Sequence, residues 1–217
     1  MTTNSQPRDW LAWHDDYDRA GTPLAVRLAV VQSHVRQALD AAPPGTIRVV
    51  SICAGQGRDL VEVVATHERR DDVSAVLVEA DERNVLSATR RISELGLDRG
   101  IRPILGDASV TDRYVGHTPA HLVLACGIFG NIGEDDIHNT IRHLPSFCST
   151  GATVLWTRHR RPPDLTPTVR RWFGDAGFEE IAFAGLTHLP YIGVGAVRWP
   201  GANGALPTGT RLFNSLG

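Results

Sequence analysis

Val49-Val50-Ser51-Ile52-Cys53-Ala54-Gly55-Gln56-Gly57-Arg58-Asp59 is the stretch on which the fold turns. Ile47–Ile52 is a short, mostly apolar run of strand length. Ala54–Gly57 is a tight glycine loop, and Asp59–His67 carries helical spacing. A strand that runs through a glycine turn into a helix is the opening of an α/β unit, and the pattern repeats down the chain. Val73–Val78 is an apolar strand ending at Glu79. Asp81 is placed to cap the next helix, whose inner face is Val85, Ala88, Ile92 and Leu95, with Gly96 as its stop. Ile101–Leu105 is a third strand ending at Gly106-Asp107, and His121–Ala125 a fourth ending at Cys126-Gly127. Glu134, Asp135 and Asp136 put negative charge on the first turn of a helix with Ile137, Ile141 and Leu144 on one face. Ala152–Thr157 is a fifth strand, and Thr166-Pro167 opens a helix facing inward with Val169, Trp172, Phe173 and Ala176. Phe178–Ala184 and Ile192–Trp199 then follow with no helix between them, which predicts an antiparallel pair. Alternating strands and helices predict a mostly parallel sheet covered by helices on both faces.

Upstream, Trp10, Trp13 and Tyr17 share one face of a short helix. Thr22-Pro23 reads as N-cap and first residue of a second helix with Leu24, Leu28, Val31, Val35 and Leu39 at helical spacing, stopped by Pro43-Pro44-Gly45. The expected organisation is an N-terminal helical cap over 1–44, an α/β domain over 45–200, and a tail over 201–217 packed on the domain through Leu212 and Phe213. At 217 residues with 42% apolar content the chain can bury a sizeable core. A net charge of −2 gives no global attraction for nucleic acid or an anionic membrane. No signal-peptide pattern or bilayer-length apolar run is present. Cys53, Cys126 and Cys148 are scattered in no metal-like spacing, as expected for reduced thiols in a cytoplasmic protein without a bound metal. All 22 basic residues are Arg, so neither a lysine Schiff base nor a P-loop lysine exists.

Ligands of an open α/β sheet bind at the carboxyl ends of its strands, where strand order reverses. The informative residues sit there. Gly55 and Gly57 allow a tight turn and close backbone approach. Glu79, 22 positions after Gly57, ends the second strand, where a carboxylate can accept hydrogen bonds from a ribose diol. Asp107 ends the third strand, within reach of an adenine amine. Each alone has a bland reading as a turn, a solvated strand end or a helix cap, but three at successive strand ends point to a nucleotide. A dinucleotide fingerprint needs a third glycine where Leu60 stands.

These residues resemble the class I S-adenosylmethionine-dependent methyltransferases. The run VVSICAGQGRD is similar to their first motif, an acidic residue followed by G-x-G-x-G, and VLVEAD and LGDA are similar to the ribose and adenine motifs that follow. SICAGQGRD with CGIFGNI and WTRHRRPPD resembles a subgroup of small bacterial methyltransferases, many without assigned substrates. The resemblance covers roughly residues 45–200. It implies a Rossmann-like seven-stranded sheet, mostly parallel, with an antiparallel last strand. It also implies S-adenosylmethionine as cofactor and S-adenosylhomocysteine as product, held by Ala54, Gly55, Gln56, Gly57, Asp59, Glu79, Asp107, Ala108, Cys126 and Gly127. Two positions depart from the pattern: Ser51 replaces the acidic residue and Cys53 the first glycine. Asp59 or Arg58 is then a candidate for the amino-acid end of the cofactor.

Methyl transfer from a sulfonium needs chiefly proximity and alignment, and a base only where the nucleophile must lose a proton. His159, between arginines that would favour its neutral form, is the candidate base. His14 and His188 are weaker ones. Phe129, Asn131 and Arg160 are substrate candidates beyond strands four and five. Trp13, His14 and Tyr17 are candidates on an N-terminal helix expected to cover the site. The N/D-P-P-Y/F sequence is absent after strand four, against methylation of base or glutamine amino groups. The expected acceptor is a small molecule, with an aromatic or indole-like natural product one option, handled by a monomer or homodimer. The alternatives are a nicotinamide oxidoreductase and a cofactor-binding partner protein without activity.

Overall fold

The structure is a computed structural model that describes Arg19, residues 21–185 and residues 191–214. Trp10, Trp13, His14, Tyr17 and His188 lie outside the described residues, as does the end of the expected tail, 215–217.

Helix α1 (Pro23–Ala41) starts where the sequence predicts. The Thr22 hydroxyl accepts from the Ala25 N–H at 3.2 Å, and Pro23 occupies the first turn, where no N–H is needed. Val31, Val35 and Leu39 form its buried stripe. The Arg69 guanidinium satisfies the carbonyls that this helix and the following Pro-Pro-Gly turn leave open. It donates to Ala42 O (2.6 Å), Pro43 O (2.9 Å) and Gly45 O (3.0 Å). Strand β1 (Ile47–Ile52) follows, then α2 (Val61–Ala65), β2 (Val73–Glu79), α3 (Glu82–Glu94) and β3 (Ile101–Leu105). A 3-10 turn over Thr111–Tyr114 leads to β4 (Ala120–Ala125), α4 (Glu134–His143), β5 (Cys148–Arg158), α5 (Thr166–Asp175), β6 (Glu179–Gly185) and β7 (Gly193–Arg198). Helix α2 is shorter than the predicted Asp59–His67, because Gly57 still governs its start: Leu60 and Val61 both donate to the Gly57 carbonyl. Strand β5 runs longer than the predicted Ala152–Thr157, with a register irregularity against β4.

The strands form one seven-stranded sheet in the order β3-β2-β1-β4-β5-β7-β6. The pairs β1–β2, β1–β4, β2–β3 and β4–β5 are parallel. Strand β7 inserts between β5 and β6 and is antiparallel to both, so the closing pair predicted from the sequence is completed by insertion. One face of the sheet packs on α1, α2 and α3 through Val35, Leu39, Val64, Ala88 and Ile92. The other packs on α4 and α5 through Ile137, Ile141, Val169 and Phe173. Strand order reverses between β1 and β4, which opens a crevice at their carboxyl ends.

Trp156 anchors the far half of the sheet. It is 1% exposed, with Phe173 and Phe183 stacked at centroid distances of 5.7 and 5.8 Å. Its cross-strand neighbour is Gly195, where an added Cβ would lie 2.1 Å from the indole Cε2. The ring is held by its neighbours and cannot swing away. Gly195→Ala is therefore expected to lower unfolding free energy by about 1–3 kcal/mol through overpacking. Urea denaturation checks this; a loss under about 0.5 kcal/mol, the usual range for a neutral surface change, would show that the indole yields.

Candidate functional site

A cavity of about 480 Å³ opens at the carboxyl ends of β1, β2, β3 and β4. That size falls within the range of about 300–1,000 Å³ usual for small-molecule sites. Its floor is the loop after β1. Cys53, Gly55 and Gly57 all have left-handed backbone, with φ of 52°, 55° and 71°. Cys53 is the non-glycine residue with positive φ among the described residues, at the position where the sequence departs from glycine. The left-handed turn is thus retained without the glycine, at a conformational cost of about 1–2 kcal/mol. Gly57 is needed for space as well: a Cβ there would meet Leu77 Cδ2 at 2.5 Å.

Glu79 holds this loop. One carboxylate oxygen accepts from the Gly55 N–H at 2.8 Å and the other from the Asp81 N–H at 2.9 Å. Each oxygen keeps lone-pair capacity for a further donor. Asp107 is fixed in a comparable way. Its Oδ1 accepts from the Ser109 N–H (2.9 Å) and hydroxyl (2.6 Å), and its Oδ2 meets Arg211 Nη1 at 3.0 Å. Burial pushes the Asp107 carboxyl up, but these hydrogen bonds outweigh it and the net direction is down.

The third carboxylate behaves differently. Burial raises Asp59 to about 6, against the opposing pull of its own backbone hydrogen bond and the Arg27 charge. The Cys126 thiol, whose Sγ donates to Leu155 O at 3.9 Å, is pushed up by burial and lies close enough to be pushed up by the Asp59 charge as well. Burial also raises Cys53, with the charges of Glu79 and Asp107 adding to the effect. Both thiols are therefore held protonated beside the carboxylates. Asp59, Glu79, Asp81 and Asp107 face Arg27 and Arg58 across the lining, so acids outnumber bases on a wall suited to a cationic ligand.

Nine of the residues expected at a cofactor, Ala54, Gly55, Gln56, Asp59, Glu79, Asp107, Ala108, Cys126 and Gly127, line this one cavity. Gly57 lies beneath it against Leu77. Of the acceptor candidates among the described residues, none lines this cavity. Phe129 is fully buried in the core, 6.2 Å from the rings of both Trp156 and Phe173, and does not line this cavity. Asn131 donates to Gly127 O at 2.6 Å and braces the turn after β4. His159 lies against Gly130 and does not line the cavity. Arg160 is engaged with Asp164 at 3.0 Å.

The sequence reading missed Arg27, Leu28 and Val31 of α1, Asn84 of α3, and Phe213 and Asn214 as parts of the wall. Asn84 carried a signal: it lies on the inner face with Ala88 and Ile92, is 1% exposed, and its side-chain oxygen accepts from Gln56 at 3.5 Å. Helix α1 also braces the loop directly, since Gln32 Nε2 donates to Arg58 O at 2.8 Å.

With this geometry in place, solved structures supply a comparison. An O-methyltransferase family protein from Burkholderia thailandensis superposes with a TM-score of 0.66 at 14% identity, over 89% of this chain and 60% of that one. The chain has the class I methyltransferase fold. Magnesium protoporphyrin IX methyltransferase from Synechocystis PCC 6803, solved with bound S-adenosylmethionine, gives 0.63 at 14% identity over 90% of this chain and 99% of that one. A possible exported protein from Bordetella parapertussis gives 0.61 at 18% identity over 93% and 76%. No protein-family model and no curated protein matches the chain. Among the described residues no helix is long and apolar enough to cross a membrane, and no cluster of His, Cys, Asp and Glu has the arrangement of a metal site.

The raised Asp59 carboxyl has a consequence for stability. Its folded value of about 6 exceeds the ordinary 3.8, so the folded protein binds this proton more tightly than the unfolded chain. The contribution is most favourable at low pH and is lost as pH rises from about 3.8 to about 6. Asp59→Asn removes the buried charge. It is expected to raise unfolding free energy at pH 8 by an amount on the order of 2 kcal/mol, with the gain closing toward pH 4. Denaturation of both proteins across that range checks the sign; a gain that is largest at pH 4 would contradict it.

Proposed function

We propose that the chain binds S-adenosylmethionine in this cavity and transfers its methyl group to a small-molecule acceptor in the cytoplasm. The observation that carries the reading is the left-handed Cys53–Gly57 loop tied through Gly55 to the Glu79 carboxylate, with Asp107 at the next strand end. A carboxylate already oriented by two backbone donors is preorganised for a ribose diol, and the open left-handed loop lets the ligand approach the backbone closely. The acidic lining suits a ligand that carries a sulfonium and an ammonium.

The residues fit the cofactor as follows. Glu79 takes the ribose hydroxyls and Asp107 the exocyclic amine of adenine. Asp59 takes the ammonium of the methionine end and Arg27 its carboxylate, which fills the role left open by Ser51 in place of the usual acid. Ala54, Gln56, Ala108, Cys126 and Gly127 complete the wall. The cofactor supplies an activated methyl group, so the protein contributes alignment and exclusion of water. The net charge of −2 and the cavity's size favour a small molecule over nucleic acid.

Calorimetry with S-adenosylhomocysteine is expected to give binding on the order of micromolar. Glu79→Ala is expected to weaken it by about 1–3 kcal/mol, because the ribose loses a charged acceptor and the loop loses its tie. Affinity is also expected to fall as pH drops below about 6, where Asp59 takes up its proton. Folded protein that binds NADH and neither S-adenosylmethionine nor its product would overturn the reading in favour of an oxidoreductase.

A further inference from the structure

The cavity wall on the Asp107 side is completed from the far end of the described chain. Residues 209–214 run beside the loop after β3 and then along α4, tied at nearly every residue. The Gly209 N–H donates to the Asp112 carboxylate at 3.1 and 3.2 Å. The Thr210 N–H donates to the Thr111 hydroxyl at 3.1 Å, and the Thr111 N–H donates back to Thr210 O at 3.0 Å. The Leu212 N–H reaches Ser109 O at 2.8 Å, while Leu212 O accepts from Asn139 Nδ2 at 2.9 Å and the Thr140 hydroxyl at 3.0 Å. Asn214 donates from its backbone and its side chain to Asp136 at 3.2 and 2.9 Å. Leu212 is fully buried and Phe213 is 4% exposed.

Two side chains of this strap act on the cavity. Arg211 Nη1 contacts both Asp107 Oδ2 (3.0 Å) and the Ser109 hydroxyl (2.6 Å), which fixes the rotation of the Asp107 carboxylate. The Asp107 side chain nevertheless stays half exposed, and Oδ2 keeps a lone pair for another donor. Phe213 lines the cavity together with Asp107 and Ala108. A purine presents apolar faces and a donor amine at one edge, and this corner offers an apolar ring and a small methyl side chain beside a fixed carboxylate. Simple tail docking would require Leu212 to be buried, but it would not require the next ring to form part of the cavity wall.

We propose that the strap is part of the cofactor site: Phe213 is the wall against which the adenine ring is held, and Arg211 positions Asp107 for its amine. This rests on the cofactor reading above and adds a specificity-determining residue from outside the strand-end motifs.

The test uses the full chain and its Phe213→Ala and Phe213→Leu variants, with S-adenosylhomocysteine and adenosine as probes in calorimetry. Melting without ligand establishes that each variant is folded, and Leu keeps more of the core volume than Ala does. Loss of a ring against a base is expected to raise Kd for both probes about tenfold in Phe213→Ala. In the unaltered protein, S-adenosylhomocysteine is expected to slow amide exchange across 209–214. A ring that serves the core alone would lower the melting temperature and leave Kd unmoved. Binding by the unaltered protein with Kd within twofold in both variants, or exchange of the strap unaffected by the probe, overturns the inference alone. Absence of binding by the unaltered protein overturns the cofactor reading, and the inference with it.

Discussion

Both oxygens of one carboxylate hold the site together. Glu79 ends β2 and accepts the N–H groups of Gly55 and Asp81, one from the loop after β1 and one from the turn that opens α3. Those donors face the cavity, and no strand or helix ladder is available to take them. Leaving a buried backbone donor unpartnered costs about 1–3 kcal/mol, and the half-buried Glu79 satisfies two donors while staying in reach of water. The geometry of the loop follows. Three left-handed residues, Cys53, Gly55 and Gly57, turn the chain from β1 toward α2, and the Leu77 side chain of β2 fills the space that any Cβ on Gly57 would need. The parallel β1–β2 register delivers Glu79 to this position, since Ile52 pairs with Val78 and the acid stands one residue beyond.

Charge is distributed around that centre by elements distant in sequence. Helix α1 brings Arg27 to Asp59 and Gln32 to the Arg58 carbonyl, so the helix preceding the sheet is built into the loop it covers. The strap at 209–214 brings Arg211 to Asp107. In both cases a carboxylate of the cavity is attended by a guanidinium from outside the β1–β4 core, while Glu79 is served by backbone alone. The result is a cavity whose acids are oriented before any ligand arrives, which is the preorganisation a positively charged ligand needs if it is not to pay for loop ordering on binding.

Much of this was legible from residues 47–59 outward, and the reason is topological. In a parallel sheet the carboxyl ends of the strands lie at one edge, so an acid read as the end of a strand is located in space without knowing the packing. Glu79 and Asp107 are such residues. Phe129 and Asn131 lie four and six residues past β4, where direction depends on the turn taken, and His159 and Arg160 follow β5 directly but sit beyond β1–β4, whose ends form the cavity. After β4 the chain turns at Gly127 with φ of 80°, and Phe129 is delivered to the Trp156–Phe173 cluster inside the core. Arg160 sits where Asp164, four residues on, can neutralise it. Arg27 and Phe213 were illegible for another reason. Their place in the cavity wall depends on which part of the sheet α1 and the strap cover, and no local pattern states that. Leu212 and Phe213 are both buried, but the sequence alone does not distinguish a ring facing the core from one that also lines a cavity.

The central claim is that Glu79 and its loop form a ribose-binding corner within a nucleotide site. A crystal structure of the protein grown with S-adenosylhomocysteine tests it most directly. The account predicts both ribose hydroxyls within hydrogen-bond distance of the Glu79 carboxylate, with adenine beside Asp107 and the amino-acid end toward Asp59 and Arg27. A ligand seated with its ribose away from Glu79, or bound outside this cavity, would contradict it.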